Sequence, residues 1–253
     1  MMDATDAWAA VRAARTWVCD TVRVGPGHLV VDLGSGPGTF GALAAARGAA
    51  TVDVDRSRTM LGAARRRGRP PGVCADIAAL PLRAASVTLA RMERVLQWSA
   101  DPDRALVEVA RLVAPRGTLA VTDTDWSTLR IDHDDPGHAA RWTAAAQGWV
   151  PHAGLAASLP ERLGRLVAPG GDVALRRDTI RITAWDPDDG NHADGPPGLP
   201  LASIAAGAPT DADRAALADD VATLAARART GHFRTTLDLV TVCARLAAAP
   251  DPD

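Results

Sequence analysis

Three glycines at alternate positions follow a short apolar run, and their spacing suits the binding of a small ligand. The run Val30–Gly38 reads Val-Val-Asp-Leu-Gly-Ser-Gly-Pro-Gly, with glycines at Gly34, Gly36 and Gly38. Glycine lacks a Cβ atom, so its backbone adopts positive φ and lets a ligand approach closely. The alanine-rich stretch Ala42–Arg47 is predicted to be helical, so the unpaired N–H groups of its first turn face the same space. The sequence therefore predicts a strand, a glycine turn and a helix start that hold a small molecule.

Two classes of ligand use such a turn, and the spacing of the glycines bears on the choice. A dinucleotide-binding turn carries Gly-x-Gly-x-x-Gly, whose amides receive a pyrophosphate. Here the spacing is Gly-x-Gly-x-Gly. The dinucleotide-binding pattern can be matched only loosely, by counting Gly41 as its last glycine. Asp55 lies about 20 residues past the glycines, where α/β nucleotide-binding folds place a carboxylate on ribose hydroxyls. The residues alone leave both ligand classes open.

The motifs of this region resemble those of class I S-adenosylmethionine-dependent methyltransferases of the bacterial small-molecule type. The glycine turn with Asp32 is similar to the first motif of that family, in which the loop faces the amino-acid part of the cofactor. The stretch Val52–Leu61, Val-Asp-Val-Asp-Arg-Ser-Arg-Thr-Met-Leu, is similar to the second motif and puts Asp55 rather than Asp53 at the ribose. The resemblance covers roughly the first half of the chain and implies S-adenosylmethionine as the cofactor.

Further cofactor contacts are expected along the chain. In the resembling family an acid after the third strand receives the adenine amino group and the next residue packs on the ring, positions that Asp76 and Ile77 fit. The end of the fourth strand borders the ligand crevice of an open α/β sheet, so main-chain contacts are expected at Arg91 and Met92. The expected cofactor-binding set is Asp32, Gly34, Ser35, Gly36, Asp55, Arg56, Asp76, Ile77, Arg91 and Met92.

Two departures from the family pattern are visible. Trp98 stands where the family commonly carries a histidine, so an aromatic wall replaces a candidate active-site base. The stretch Arg111–Leu119 resembles the family's Arg-Val-Leu-x-Pro-Gly-Gly, with Arg116 in place of the first glycine. The family pattern therefore leaves the catalytic group of this chain unassigned.

The candidate catalytic and substrate-binding residues lie mostly in the second half of the chain. Asp125 and Trp126 come just past the predicted fifth strand, Thr118–Thr122, where a substrate is expected. Lone histidines in polar loops are usually solvated, and tryptophans at helical spacing usually belong to the core. The candidates for proton transfer are His133, His138, His152 and Asp125. The candidates for substrate contact are Trp8, Trp98, Trp126 and Trp142.

The composition, net charge and cysteine positions disfavour several classes of protein. Of 253 residues, 47% are hydrophobic and 23% charged, and the net charge of -2 offers no overall basic face for nucleic acid. Cys19, Cys74 and Cys243 are widely separated and lack metal-ligand spacing, so neither a disulfide framework nor a metal site is expected. The sequence shows no signal-peptide pattern and no long apolar run. We expect a cytoplasmic monomer or homodimer with a small-molecule substrate and neither a nucleic-acid nor a membrane partner.

Alternating strand and helix patterns predict an α/β fold. The resemblance implies a doubly wound, seven-stranded, mostly parallel sheet with helices on both faces and an antiparallel C-terminal strand. A single domain is expected over 1–253. It would comprise an N-terminal helix in 1–25, a cofactor-binding half in 26–123, a substrate-covering half in 124–230 and a closing strand in 231–246. The Asp-, Gly- and Pro-rich segment 184–200 is predicted to be a mobile connection or lid.

Three hypotheses of function follow. The first is methyl transfer from S-adenosylmethionine to a small metabolite, which seven tryptophans suggest is apolar or aromatic, with O-, N- or C-methylation open. A composition typical of GC-rich coding sequence would suit secondary metabolism. The second keeps the fold and cofactor but catalyses a non-methylating reaction such as a cyclisation. The third is a non-catalytic binding protein, against which the intact glycines and Asp55 argue.

Overall fold

Helices and strands alternate along the chain. The computed structural model describes residues 8–167 and 171–247. The helices are α1 (Ala9–Val22), α2 (Thr39–Ala46), α3 (Arg58–Arg66), α4 (Pro102–Leu112), α5 (Pro136–Trp149), α6 (Leu155–Gly164), α7 (Leu201–Ala206) and α8 (Asp211–Arg229). The strands are β1 (Leu29–Leu33), β2 (Ala50–Asp55), β3 (Val73–Cys74), β4 (Val87–Glu93), β5 (Val113–Ile131), β6 (Asp172–Ile182) and β7 (Thr235–Arg245). None of the described helices has both the length and the apolar character needed to cross a bilayer.

The strands form one sheet with the order β3-β2-β1-β4-β5-β7-β6. β1 pairs in parallel with β2 and β4, and the pairs β2/β3 and β4/β5 are also parallel. β7 is antiparallel to β5, because the Leu246 N–H donates to the Gly117 carbonyl and the Asp132 N–H to the Arg234 carbonyl, both at 2.9 Å. The predicted seven-stranded sheet with an antiparallel C-terminal strand is thereby confirmed.

The described residues fall into two compact units. Among the described residues, the N-terminal unit comprises 12–123, 157–167, 171–176 and 240–247, and the helical unit comprises 8–11, 124–156 and 177–239. Strands β5, β6 and β7 each contribute residues to both units. The expected division of a single domain into cofactor-binding and substrate-covering halves stays a prediction.

Apolar residues of the central strands build the core of the N-terminal unit. Val30 of β1 and Leu89 of β4 are fully buried and share a cluster with Val18 of α1 and Phe40 of α2. Burying each such side chain contributes about 1.5–3 kcal/mol. This packing holds α1 and α2 against β1 and β4. The strand order of the sheet changes direction between these two strands.

The helical unit contains α5, α7 and α8. The helix α8 begins at a side-chain cap, where the Thr210 hydroxyl accepts from the Asp213 N–H at 3.0 Å. Gly148 of α5 lies against Gly207, the residue that follows α7, since a Cβ on Gly148 would lie 2.1 Å from the carbonyl oxygen of Gly207. The helix α7 follows the predicted mobile connection and was not anticipated from the sequence, because six residues carry little periodicity.

The fifth strand is much longer than the sequence predicted. It runs for 19 residues, Val113–Ile131, so Asp125 and Trp126 lie within the strand and not in a loop after it. The polar run that suggested a loop is buried and has partners. Asp123 accepts from the Gln97 N–H at 3.1 Å, and Asp125 accepts from the Ser127 N–H at 3.2 Å. Buried polar groups of this kind read as a loop in sequence, because their partners are not visible there.

The ends of the chain differ in detail from expectation. The N-terminal helix was expected within 1–25, and α1 occupies Ala9–Val22 of that range, while residues 1–7 lie outside the described residues. The closing strand occupies Thr235–Arg245 within the predicted region 231–246. Residues 248–253 likewise lie outside the described residues.

Candidate functional site

The carboxyl ends of four strands meet at one edge of the N-terminal unit, and the predicted cofactor residues lie along it. In the parallel register Leu33 of β1 pairs with Val54 of β2 and with Met92 of β4. Asp55, the last residue of β2, pairs with Cys74 of β3. The glycine turn after β1 therefore has Asp55 on one side and the end of β4 on the other. Open α/β sheets bind ligands at such a change of winding order.

The glycines of the turn serve different purposes. Gly34, Gly36 and Gly38 have φ values of 65°, 54° and 79°, a region that favours glycine. A Cβ on Gly34 would lie 2.3 Å from a Val95 methyl group. A Cβ on Gly41 would lie 2.3 Å from an oxygen of Asp53, so this glycine is required for internal packing. Internal packing therefore accounts for the glycine at position 41, and no dinucleotide-binding pattern is needed to explain it.

The two acids at the end of β2 also have separate roles. Asp53 is 3% exposed and forms a bidentate ion pair with Arg69, at 2.8 Å and 3.1 Å. Asp55 instead accepts from the backbone N–H of Gly36 at 2.9 Å and from that of Ser57 at 2.8 Å. Ser57 itself caps α3. Because each carboxylate oxygen of Asp55 retains a further lone pair, it can accept from a ligand hydroxyl beside the glycine turn.

The remaining predicted cofactor residues follow β2 and β3. Arg56 is exposed directly after β2. Asp76 is exposed just past β3, and its Oδ1 accepts from the Ala78 N–H at 2.8 Å. Ile77, which is half-buried, comes next. These positions lie at the ligand edge of the sheet, and the adenine contacts implied for Asp76 and Ile77 stay predictions.

Arg91 has a side-chain role that sequence reasoning missed. Its guanidinium donates to Asp32 of β1 at 3.0 Å, contacts Glu93 and lies 4.2 Å from the centre of the Phe40 ring. Arg15 of α1 donates to the same Glu93 at 2.9 Å and 2.6 Å. All four charged side chains are buried. The available signal was the alternation of Arg91 and Glu93 on one face of β4, opposite an acid on β1.

Burial and pairing move the two acids of this network in opposite directions. Burial raises the pKa of Asp32 to about 6, and the nearby Arg91 offsets only part of that effect. Burial acts in the same direction on Glu93, but the guanidiniums of Arg91, Arg15 and Arg94 together outweigh it and hold its pKa well below the usual range. Glu93 is therefore the firmly ionised member of the network, and Asp32 is close to its titration range at neutral pH.

Unpaired buried polar atoms are concentrated at this edge. Seven buried side-chain atoms lack a hydrogen-bond partner within the described residues, and four of them belong to Asp32, Ser35, Arg91 and Arg94. Asp32 Oδ2 and Ser35 Oγ are acceptors beside the glycine turn. A ligand with an ammonium group, such as the amino-acid part of S-adenosylmethionine, would supply the missing donors. The residues present thus fit the cofactor that the resemblance implies.

The substrate candidates are divided between the two units. Trp98 belongs to the N-terminal unit and is 38% exposed. Trp8 and Trp126 belong to the helical unit, where Trp126 is 5% exposed and meets Trp149 edge to face, with ring centres 5.3 Å apart. Trp142 is fully buried and its indole donates to Asp220 at 2.7 Å. Its ring is therefore part of the core of the helical unit in this structure.

Two of the three candidate histidines come together around an acid that was not predicted. His133 and His138 are stacked with ring centres 4.6 Å apart, and His133 Nε2 lies 2.9 Å from Asp220 Oδ1. His138 Nδ1 lies 3.3 Å from the other oxygen of Asp220. Nitrogen and oxygen donors at these spacings could hold a divalent cation. In the structure they are engaged with one another and with Trp142. Asp220 was missed because it looks like one of several acids on α8.

His152 is the remaining histidine candidate. It follows α5 at the start of the turn before α6 and is half-buried. It does not belong to the cluster around Asp220. Its catalytic assignment, like those of Asp125, His133 and His138, stays a prediction.

Part of the chain is similar in sequence to known methyltransferases. Residues 31–121 match the family model of a methyltransferase domain. The malonyl-(acyl-carrier protein) O-methyltransferase of Halorhodospira halophila is 42% identical over 106 residues, which cover 40% of this chain and 36% of that enzyme. The trans-aconitate 2-methyltransferase of Methylobacterium radiotolerans is 38% identical over 147 residues, 56% of this chain and 53% of that enzyme. The matches thus span about half or less of these relatives.

A solved structure shares the fold over nearly the whole chain. The YcgJ protein of Bacillus subtilis superposes with a TM-score of 0.61 at 14% identity, covering 94% of this chain and all of that one. The fold that the two proteins share therefore extends beyond residues 31–121, the part that the family model matches.

The first prediction concerns the Arg15–Glu93–Arg91 network. In Glu93→Gln, Arg15 loses its buried counter-charge and Arg91 keeps only Asp32, so the free energy of unfolding should fall by about 3–5 kcal/mol. We expect this loss at pH 8, where Asp32 is ionised, because the contribution of Glu93 itself declines only as pH falls toward its lowered pKa. Urea denaturation followed by tryptophan fluorescence measures it. The matched control Glu161→Gln breaks an exposed pair with Arg165 and should leave stability nearly unchanged. Equal losses in both variants would contradict the role of the network.

The second prediction uses the raised pKa of Asp32. A carboxyl whose pKa is raised on folding stabilises the fold below its unfolded pKa, and that contribution is lost as pH rises through the folded value. With a folded pKa of about 6, the stability of the wild type relative to Asp32→Asn should fall by about 1 kcal/mol between pH 5 and pH 7. Parallel urea titrations of both proteins test this. A difference that is independent of pH would show that Asp32 is ionised throughout.

Proposed function

We propose that this chain, which contains a class I S-adenosylmethionine-dependent methyltransferase domain, transfers the methyl group of that cofactor to a small metabolite. The observation that carries the proposal is Asp55, which two backbone N–H groups hold beside the glycine turn. This arrangement provides a fixed acceptor for ribose hydroxyls at the ligand edge of the sheet. The proposal extends the activity of the matched domain to the whole chain.

The cofactor would be bound in three parts. Asp55 would accept from the ribose hydroxyls, each contact being worth about 1.5–3 kcal/mol. Asp32 Oδ2 and Ser35 Oγ, which have no partner in the described residues, would accept from the ammonium group. Asp76 would receive the adenine amino group, and Ile77 would pack on the ring. Gly34 and Gly36 would let the backbone approach the amino-acid part.

The chain has little chemistry to add once the cofactor is bound. S-adenosylmethionine supplies a methyl group that its sulfonium already activates. The protein then needs to align the acceptor, and alignment contributes about 7–11 kcal/mol to such reactions. Proton removal by the chain has weak support, since His133 Nδ1 accepts from the Asp135 N–H and Nε2 contacts Asp220. Asp125 is occupied by the N–H and hydroxyl of Ser127.

An acceptor that is already nucleophilic fits these observations best. The malonyl and trans-aconitate groups named for the two relatives both carry carboxylates, which need no base at neutral pH. We therefore place small carboxylic acids first among the acceptors to test. The tryptophans of the chain support an apolar or aromatic acceptor as the second class. The place of the protein in secondary metabolism rests on composition alone.

Cofactor binding is tested by calorimetry on wild type and Asp55→Ala. We expect micromolar binding of S-adenosylmethionine to the wild type, weakened by about 10–100-fold in the variant because a charge-assisted contact is lost. Asp55→Asn, which keeps one acceptor oxygen, should give an intermediate affinity, and thermal melting shows whether each variant is folded. Asp20→Ala removes a surface acid paired with Arg47 and should bind as the wild type does. Binding of NAD in place of S-adenosylmethionine would contradict the proposal.

The reaction is tested with panels of small carboxylic acids, phenols and amines. We expect S-adenosylhomocysteine to form in step with a product heavier by one methyl group, detected by mass spectrometry. Carboxylate acceptors should react at pH 7 without loss of rate in His138→Ala. A transformed substrate without S-adenosylhomocysteine would support the alternative of a cyclisation on the same fold. Tight cofactor binding with no product from any class would support a binding protein.

A further inference from the structure

A cavity of about 520 Å³ opens in the N-terminal unit at the amino edge of the sheet, opposite the edge that carries the glycine turn. Its walls include His28 just before β1, Thr88 near the start of β4 and Arg116 near the start of β5. Arg245 at the end of β7 completes them, because β7 is antiparallel and its carboxyl end lies at this edge. The cavity is separate from the proposed cofactor site and plays no part in the methyl-transfer argument.

The walls carry positive charge without a compensating acid. Arg23, Arg116 and Arg245 line the cavity, and its lining includes neither aspartate nor glutamate. Within the part of the chain that the structure describes, these three guanidiniums have no hydrogen bond or ion pair. All three of these residues are exposed, whereas the enclosed side chains of Arg69 and Arg91 in the same unit are paired with acids. Uncompensated like charges in one concave surface create a positive potential that attracts an anion.

The backbone of Arg116 is a second, independent observation. Its φ is 64°, in the left-handed region that favours glycine, and the resembling family carries a glycine at this place. The pairing of β5 with β7 holds the conformation, since the Arg116 N–H donates to the Ala247 carbonyl at 3.1 Å. Arg23 has a φ of 55° and lines the same cavity. Two residues thus accept backbone strain that glycine would avoid, and both add a guanidinium to the walls.

A third observation concerns His28. Its Nδ1 is buried and has no hydrogen-bond partner within the described residues, although the side chain lines the cavity. A buried polar atom without a partner is costly, so its place in a native structure calls for a ligand or water.

We propose that this cavity binds the phosphate group of a small phosphorylated molecule. The planar guanidinium presents paired N–H donors that match phosphate oxygens, and three of them can balance a doubly or more highly charged group. The volume lies within the range of about 300–1,000 Å³ typical of small-molecule sites. Arg116, Arg23 and Arg245 supply the charge, and the side chain of His28 lines the same cavity.

The decisive variant is Arg116→Gly, because it separates ligand binding from stability. Glycine fits the left-handed backbone, so the variant should melt at the wild-type temperature or higher. The loss of one guanidinium should weaken binding of inorganic phosphate and of diphosphate by about 10-fold or more. Calorimetry in a buffer free of phosphate and sulfate measures both affinities. Glycerol 3-phosphate, titrated alongside, shows whether an organic substituent adds affinity.

Controls distinguish a built site from general attraction of anions. Arg58→Gln removes an exposed arginine of α3 that does not line the cavity, and it should bind phosphate as the wild type does. Arg245→Gln and Arg23→Gln should each weaken binding, which keeps the test decisive if the glycine variant fails to fold. Binding of S-adenosylmethionine should be unchanged in all four variants. The proposal is overturned if the wild type shows no saturable phosphate binding, or if Arg116→Gly and Arg58→Gln bind equally well.

Discussion

The ion pair between Arg91 and Asp32 is the contact on which the glycine turn depends. It joins neighbouring central strands, β4 and β1, whose register pairs these same two residues. Arg15 extends the network to α1 through Glu93, and Phe40 extends it to α2. A buried ion pair often adds little net stability over apolar residues, but removing one partner is costly. A slip of one residue between β1 and β4 would separate these charges, so the network also selects the register.

This constraint explains how a flexible turn can hold a defined shape. With the end of β1 fixed, Gly34, Gly36 and Gly38 take the left-handed conformations that carry the chain into α2. The turn is then held from the other side by Asp55, through the Gly36 N–H. Asp53, two residues earlier, is committed to Arg69, and the small Gly41 leaves room for that pair. The two acids of β2 therefore differ in role because one is enclosed behind the turn and the other ends the strand beside it.

The sequence predicted the parts of this site that depend on local chemistry. Glycine spacing, an apolar strand and an acid at the strand end are visible within thirty residues, and the α/β sheet with its antiparallel strand was confirmed. The side-chain role of Arg91 was missed because it depends on the pairing of strands 59 residues apart in sequence. Asp220 was missed for the same reason, since it meets His133 across 87 positions. The length of β5 was underestimated because Asp123 and Asp125 look like loop residues until their buried partners are known.

The polar groups of the helical unit bear on the chemistry as much as those of the glycine turn. His133, His138 and Trp142 converge on the carboxylate of Asp220, and Asp125 is engaged by Ser127. Two of these groups already use an acceptor position, since His133 Nδ1 accepts from the Asp135 N–H and Asp125 Oδ1 accepts from the N–H and hydroxyl of Ser127. Sulfonium chemistry tolerates this, since methyl transfer to a carboxylate or a neutral amine needs alignment and exclusion of water before it needs a base. The same residues can therefore stabilise the helical unit without competing with the reaction, and an ionised acceptor would bring its own nucleophile.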